Sequence, residues 1–196
     1  MVRTMGTRAP LGRRGREDAR ARLRAAAWTV FRREGLGGTT VRAVAREAGA
    51  AVGSLYTYYP DKAALLQDLS LSALAELGRE VAARRARPPV VAVAEATRAI
   101  FGAGTPGAAL LPVLFRAGQT TGTDFGRRVA GRILTALGPL AGEHKAQAPA
   151  AAAARALAAT SFVFGLALLD SSGLLARLEA EPERIVAAYL ALTAKA

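Results

Sequence analysis

Apolar side chains in this sequence return every third or fourth residue and never settle into alternation with polar ones. Leu23, Ala27, Val30 and Phe31 form one stripe, Val41, Val44, Ala45 and Ala48 a second, and Val52, Leu55, Tyr56 and Tyr59 a third. That period is the pitch of an α-helix, in which residues three and four apart share a face, whereas a strand repeats every second residue. The spacing predicts an all-α chain with no sheet. Breaks fall where helices must stop. Gly35, Gly49 and Pro60 follow the three stripes, and Pro88 and Pro89 follow a longer one through Leu65, Leu66, Leu69, Leu74 and Leu77. Glu17 and Asp18 open the first helix, Thr39 or Thr40 can cap the second and Asp61 the fourth. Further helices are expected near 90–101, 107–118, 123–141, 150–171 and 182–194, giving about nine.

Such a chain of 196 residues, 52% apolar, has ample material for a buried core. It has no cysteine and a single histidine, His144. Disulfide scaffolds, thiolate zinc sites, cysteine nucleophiles and multi-histidine metal centres are thereby excluded, and no acid–base constellation stands out. Neither a catalytic residue nor a metal or other cofactor is expected. The net charge of +12 favours a polyanionic partner, and its distribution is uneven. Of the 27 Lys and Arg, 13 lie in the first 62 residues, against 5 of the 15 Asp and Glu. Arg3, Arg8, Arg13, Arg14 and Arg16 sit among Gly, Thr and Pro in a stretch, residues 1–16, that holds no acidic residue and reads as a flexible basic arm. It is either a solvated tail or an arm that contacts a DNA groove.

Two short helices joined by a glycine-containing turn behind a supporting helix make a helix-turn-helix unit, here residues 17–62. If Val52, Leu55, Tyr56 and Tyr59 face inward, Gly53, Ser54, Thr57 and Tyr58 face outward, where a major groove can receive them. Gly53 permits close backbone approach, Ser54 and Thr57 can reach base edges or phosphates, and Tyr58 offers a hydroxyl. None provides bidentate guanine readout, so Arg42, the arm and DNA shape are expected to contribute.

The run AAAWTVFRREGLGGTTVRAVAREAGAAVGSLYTYYPDKAALL resembles the TetR-type transcriptional regulators, most clearly over Leu23 to Leu66. The resemblance rests on the Ala and Phe helix, the Thr pair, Ala-x-x-Ala-Gly, Gly-Ser-Leu-Tyr and the aromatic pair before Lys62. It implies phosphate contacts from Thr40, Tyr56, Tyr58 and Lys62. Two positions depart from the pattern: Ala51 stands where Ser commonly opens the recognition helix, and Tyr59 where Phe is usual. The resemblance further implies that residues 63–196 form a helical effector-binding and dimerisation domain. The whole would then be a homodimeric repressor released from a palindromic double-stranded operator by a small molecule.

Within that second region, the segments around Leu157–Leu169 and Ile185–Leu192 are candidates for the dimer interface, with Phe162 and Phe164 either there or in the core. Phe101, Leu110, Leu114, Phe115, Phe125 and Phe162 are candidates for a largely apolar effector pocket, or plain core. Arg116, Asp124, Arg127, Arg128, Arg132 and His144 are polar groups that could orient a ligand. The longest weakly polar run, Ala156–Leu169, is shorter than the roughly 20 residues of a spanning helix. No apolar stretch precedes Leu11, so a secretory leader is not expected. A cytoplasmic protein with no membrane partner is the expectation. A sequence-independent DNA-coating protein, a membrane-surface protein and an enzyme are the weaker alternatives.

Overall fold

The first stripe lies on helix α1, Arg13–Gly38, and buries Leu23, Ala27, Val30 and Phe31 together with Ala19 and Ala26. The computed structural model describes residues 13–119, 123–142 and 149–193. α1 begins earlier than its acidic residues suggest, so Arg13, Arg14 and Arg16 are helical rather than part of an arm; residues 1–12 lie outside the described residues. Arginine is a good helix former, and there is no proline between Pro10 and Arg13 or among Arg13, Arg14 and Arg16 to stop the helix from extending backward. Gly35 ends the regular helix as expected. Its φ of 65° and ψ of −167° are open to little but glycine, and hydrogen bonding then resumes to Gly38. The Gly35 carbonyl accepts both the backbone N–H and the hydroxyl of buried Thr39, at 3.2 and 2.7 Å.

Helix α2, Val41–Glu47, is capped by Thr40, whose Oγ1 accepts the Ala43 N–H at 3.1 Å. Gly49, with φ of 60°, closes its far end. Gly49 N–H donates to Arg46 and Ala50 N–H to Ala45, the paired bonds that satisfy the last carbonyls of a helix. Helix α3, Val52–Tyr56, has no side-chain cap because its N-cap is Ala51. Pro60 interrupts, Asp61 Oδ1 accepts the Ala64 N–H at 2.7 Å, and α4 runs from Lys62 to Ala83. These elements up to Leu65 form one compact unit, and residues from Leu66 onward form another; α4 belongs to both.

In the second unit α4 is followed by α5 (Pro89–Phe101), a 3-10 turn (Pro106–Leu110), α6 (Leu111–Gln119), α7 (Asp124–Gly142), α8 (Pro149–Ser171), α9 (Leu174–Arg177) and α10 (Pro182–Thr193). The described residues hold ten α-helices and no strand, one helix more than expected. The expected 107–118 helix is divided because Pro112 is tolerated only in a first turn, so α6 restarts at Leu111. α9 is four residues long, too short to show a period, and follows Gly173 in the left-handed conformation.

α5 is the central element. It packs on α7, α8, α10 and the 3-10 turn, and buries Val90, Ala92, Val93, Ala96, Thr97 and Phe101. Its C-terminus is tied to α8, where Asp170 Oδ2 accepts the Ala103 N–H at 3.0 Å. The turn beyond folds back so closely that a Cβ on buried Gly107 would lie 2.1 Å from the Ile100 carbonyl oxygen. Among the described residues no single helix is long and apolar enough to cross a membrane.

Because that oxygen belongs to the backbone of α5, Gly107→Ala forces the turn away from the helix. A loss of about 2–3 kcal/mol in unfolding free energy is expected from urea denaturation, the range of an overpacked core. Gly53→Ala meets nothing within 4 Å and serves as the control, with a change of about 0.5 kcal/mol or less.

Candidate nucleic-acid interface

A helix of five residues turns less than twice, so few of its side chains can point inward. In α3 that side chain is Leu55, fully buried. Tyr59, 1% exposed, joins it from the following turn, where the Tyr58 and Tyr59 N–H groups both donate to the Leu55 carbonyl at 2.9 and 2.8 Å. The Tyr59 ring has the Arg20 guanidinium of α1 6.0 Å from its centroid.

The expected inward face was wider, and the structure corrects it. Val52 is 38% and Tyr56 46% exposed, so neither is a core residue. A helix this short has room for one fully buried side chain, Leu55, and leaves both on its flanks. Tyr56 is thereby added to the outward group of Gly53, Ser54 and Thr57, all exposed, with Tyr58 half-buried beside them.

Thr40, Arg42 and Lys62, the other candidates from this region, are each exposed as well. The Thr40 oxygen accepts the α2 cap bond, which leaves its O–H as a donor at the start of a helix, where backbone N–H groups and the helix dipole favour anions. Lys62 Nζ donates to the Gly37 carbonyl at 3.1 Å and retains two N–H donors. That bond ties the start of α4 to the last turn of α1. It joins residues 25 apart, and no local spacing in the sequence announces it.

The acidic side chains are engaged elsewhere. Glu34 and Glu47 both pair with Arg33, at 2.9 and 3.0 Å, and these bonds raise the already high pKa of its guanidinium. Arg46 lies 4.0 Å from Glu34. Arg42 and Lys62 have no acidic partner among the described residues, so the edge of α2 and the start of α4 keep their positive charge.

The other candidate residues belong to the second unit. Phe101, Leu110 and Leu114 are buried core, Phe115 is 48% exposed and Phe125 is half-buried. Phe162 stacks on Tyr189, with ring centroids 4.0 Å apart and planes at 8°. None of the six lines the cleft of about 220 Å³ between α5, α8 and α10. Arg127 and Arg128 lie 3.6 and 3.9 Å from Asp124 on an exposed face, Arg116 and Arg132 are exposed, and His144 lies outside the described residues.

Residues 23–69 match the family described as bacterial regulatory proteins, tetR family. The match falls on the helix-turn-helix described above, which is similar to the DNA-binding region of that family. No protein of curated function matches the sequence. Among solved structures, a protein of Pseudomonas aeruginosa PAO1 named as a transcriptional regulator superposes with a TM-score of 0.66 at 22% identity, covering 92% of this chain and 90% of its own. A TetR-family member from Streptomyces coelicolor A3 gives 0.58 at 23% identity over 88% and 96%. EbrR, described as a multidrug binding protein and complexed with imidazole, gives 0.58 at 22% over 88% and 93%. At these identities the likeness is one of fold, and the fold of the chain is that of the TetR regulators.

The uncapped start of α3 is a measurable weakness in this unit. Ala51→Ser supplies an oxygen to the first turn, and unfolding free energy of the full chain should rise by about 0.5–1 kcal/mol. Amide exchange of Leu55 should slow in parallel; unchanged exchange would show that the turn after Gly49 already holds α3 at full strength.

Proposed function

We propose that the protein is a homodimeric TetR-type repressor that occupies a palindromic operator and leaves it when a small molecule binds. The observation that supports this reading is the exposure of Gly53, Ser54, Tyr56 and Thr57 on and just after α3, together with that of Thr40, Arg42 and Lys62. In this reading Thr40, Tyr56, Tyr58 and Lys62 hold phosphates and fix register, while Gly53, Ser54, Thr57 and Arg42 approach the bases. The location is cytoplasmic, as a DNA partner requires, and no reaction is catalysed.

A single helix-turn-helix has few contacts, and a two-fold dimer places two recognition helices about 34–36 Å apart on one face of the duplex. Support for dimerisation comes from the C-terminal helices. α10 buries none of its residues, and Leu168, Leu169 and Leu192 stay 43%, 41% and 75% exposed, an apolar surface that a second copy would cover. The effector is a small, largely apolar molecule held in the second unit, in keeping with the description of EbrR as a multidrug binding protein. Because α4 belongs to both units, a ligand that prefers one packing of the second can alter the first. It does so only through its differential affinity for the two states.

Thr40→Asp keeps an N-cap acceptor but places a negative charge where a phosphate is expected. It should leave thermal stability unchanged while weakening operator and random DNA alike by at least tenfold in fluorescence anisotropy. Lys62→Ala should reduce the slope of log affinity against log salt by about 0.9, the value for one lost phosphate contact. An unchanged slope would remove Lys62 from the interface. If site selection from random DNA returns the same sequence for wild type and Thr57→Val, that hydroxyl does not read bases.

For the dimer, Leu168→Glu combined with Leu192→Glu should convert the protein to a monomer in sedimentation, with circular dichroism retained and operator affinity reduced. A monomeric wild type at operator-binding concentrations would overturn the two-fold reading.

A further inference from the structure

The cleft between α5, α8 and α10 offers a hydrophobic cavity of about 220 Å³. Its walls are largely aliphatic, with Val91 and Ala94 from α5, Val163 and Leu166 from α8, and Val186 and Leu190 from α10. A 150 Å³ apolar cavity accommodates benzene, so this one suits a molecule of about ten non-hydrogen atoms.

Its polar groups narrow the choice. Five charged side chains line the cleft, and each is engaged. Arg98 of α5 is paired with Glu183 of α10, Arg87 lies 2.7 Å from Glu95, and Asp170 accepts the Ala103 N–H. A charged ligand would have to break one of these pairs or surrender its hydration uncompensated. Thr97 is different. It lines the cleft, is 1% exposed, and its hydroxyl has no hydrogen-bond partner among the described residues. A buried hydroxyl without a partner costs about as much as a lost hydrogen bond, and it can both donate and accept.

We propose that this cleft binds a neutral, mainly aliphatic molecule of about ten non-hydrogen atoms, carrying one hydroxyl or carbonyl group that pairs with Thr97. Its role as the effector site rests on the repressor reading above; its ligand chemistry does not. α5 and α8 are fixed to each other through Asp170, so α10 is the wall left to adjust. It is held by the Arg98–Glu183 pair and the Phe162–Tyr189 stack. Occupancy would therefore be felt first by α10, which also carries part of the exposed apolar surface.

Three probes of equal chain length separate the possibilities: octan-1-ol, octanoate and octylammonium, titrated calorimetrically into the full-length protein. Octan-1-ol should bind once per chain, at least tenfold more tightly than either ion. Thr97→Val, which keeps the volume and removes the hydroxyl, should weaken octan-1-ol by about fivefold. Ala187→Trp adds a ring at a cleft-lining position of α10 and should abolish binding, with circular dichroism and sedimentation the same as those of the wild type. Binding unchanged in both variants, or octanoate binding as tightly as the alcohol, overturns the proposal. Operator anisotropy separates this from the wider reading. If octan-1-ol binds in the cleft but leaves operator affinity unaltered, the cleft assignment stands and its effector role fails. If another compound releases wild type and Ala187→Trp from DNA alike, the repressor reading stands and the cleft is not its effector site.

Discussion

The burial of Leu55 and Tyr59 is the constraint on which the outward surface of α3 depends. Five residues cannot hold a helix in water, because the nucleation cost exceeds what one turn of hydrogen bonds returns. α3 has no cap and a glycine at its second position, so its own sequence adds little. What fixes it is one leucine with no exposed surface, one tyrosine 1% exposed beside α1, and a left-handed Gly49 that aims the chain from α2. Full burial of a leucine side chain contributes about 2 kcal/mol, comparable with several caps. The outward residues can accordingly be small and polar, since none of them is needed to hold the helix.

Much of this was legible in the sequence, for identifiable reasons. Thr40, Gly49 and Asp61 act through bonds within five residues, and such bonds leave a pattern in the chain. Leu55 could be placed because its i−3 and i+4 neighbours define a stripe. The same reasoning overreached at Val52 and Tyr56, because a periodic stripe says which residues share a face but not how far the neighbouring helix extends along it. Gly37 and Lys62 meet across 25 residues, beyond any local rule. The start of α1 was misplaced for another reason. Charge composition suggested an unstructured arm, yet arginines favour helix as readily as leucine does.

The second unit was legible as helices and opaque as a site. Its alanines are both strong helix formers and the residues that leave space between helices, so Ala94, Ala167 and Ala187 look like helix filler in the sequence while lining the cleft in the structure. Large aromatics drew attention instead, and Phe101 proved to be core for the same reason that it was noticed: a big apolar side chain is more easily buried than left lining a cavity.

Both surfaces can be read by asking which polar groups the protein leaves unsatisfied, and burial sets how strongly each answer binds. Lys62 keeps two N–H donors, but it is exposed, and water satisfies them as well as a phosphate can; its vacancy permits an anion without demanding one. Thr97 keeps a hydroxyl where water is excluded, so the same vacancy costs about 1–3 kcal/mol until something fills it. The charged groups at the cleft are already satisfied, Arg98, Glu183, Arg87 and Glu95 by one another and Asp170 by the Ala103 N–H, as those around Arg33 are on α1 and α2. A site whose ions are paired and whose open group is a buried hydroxyl selects for a neutral polar atom, whereas an exposed cation, already hydrated, leaves the choice of anion open.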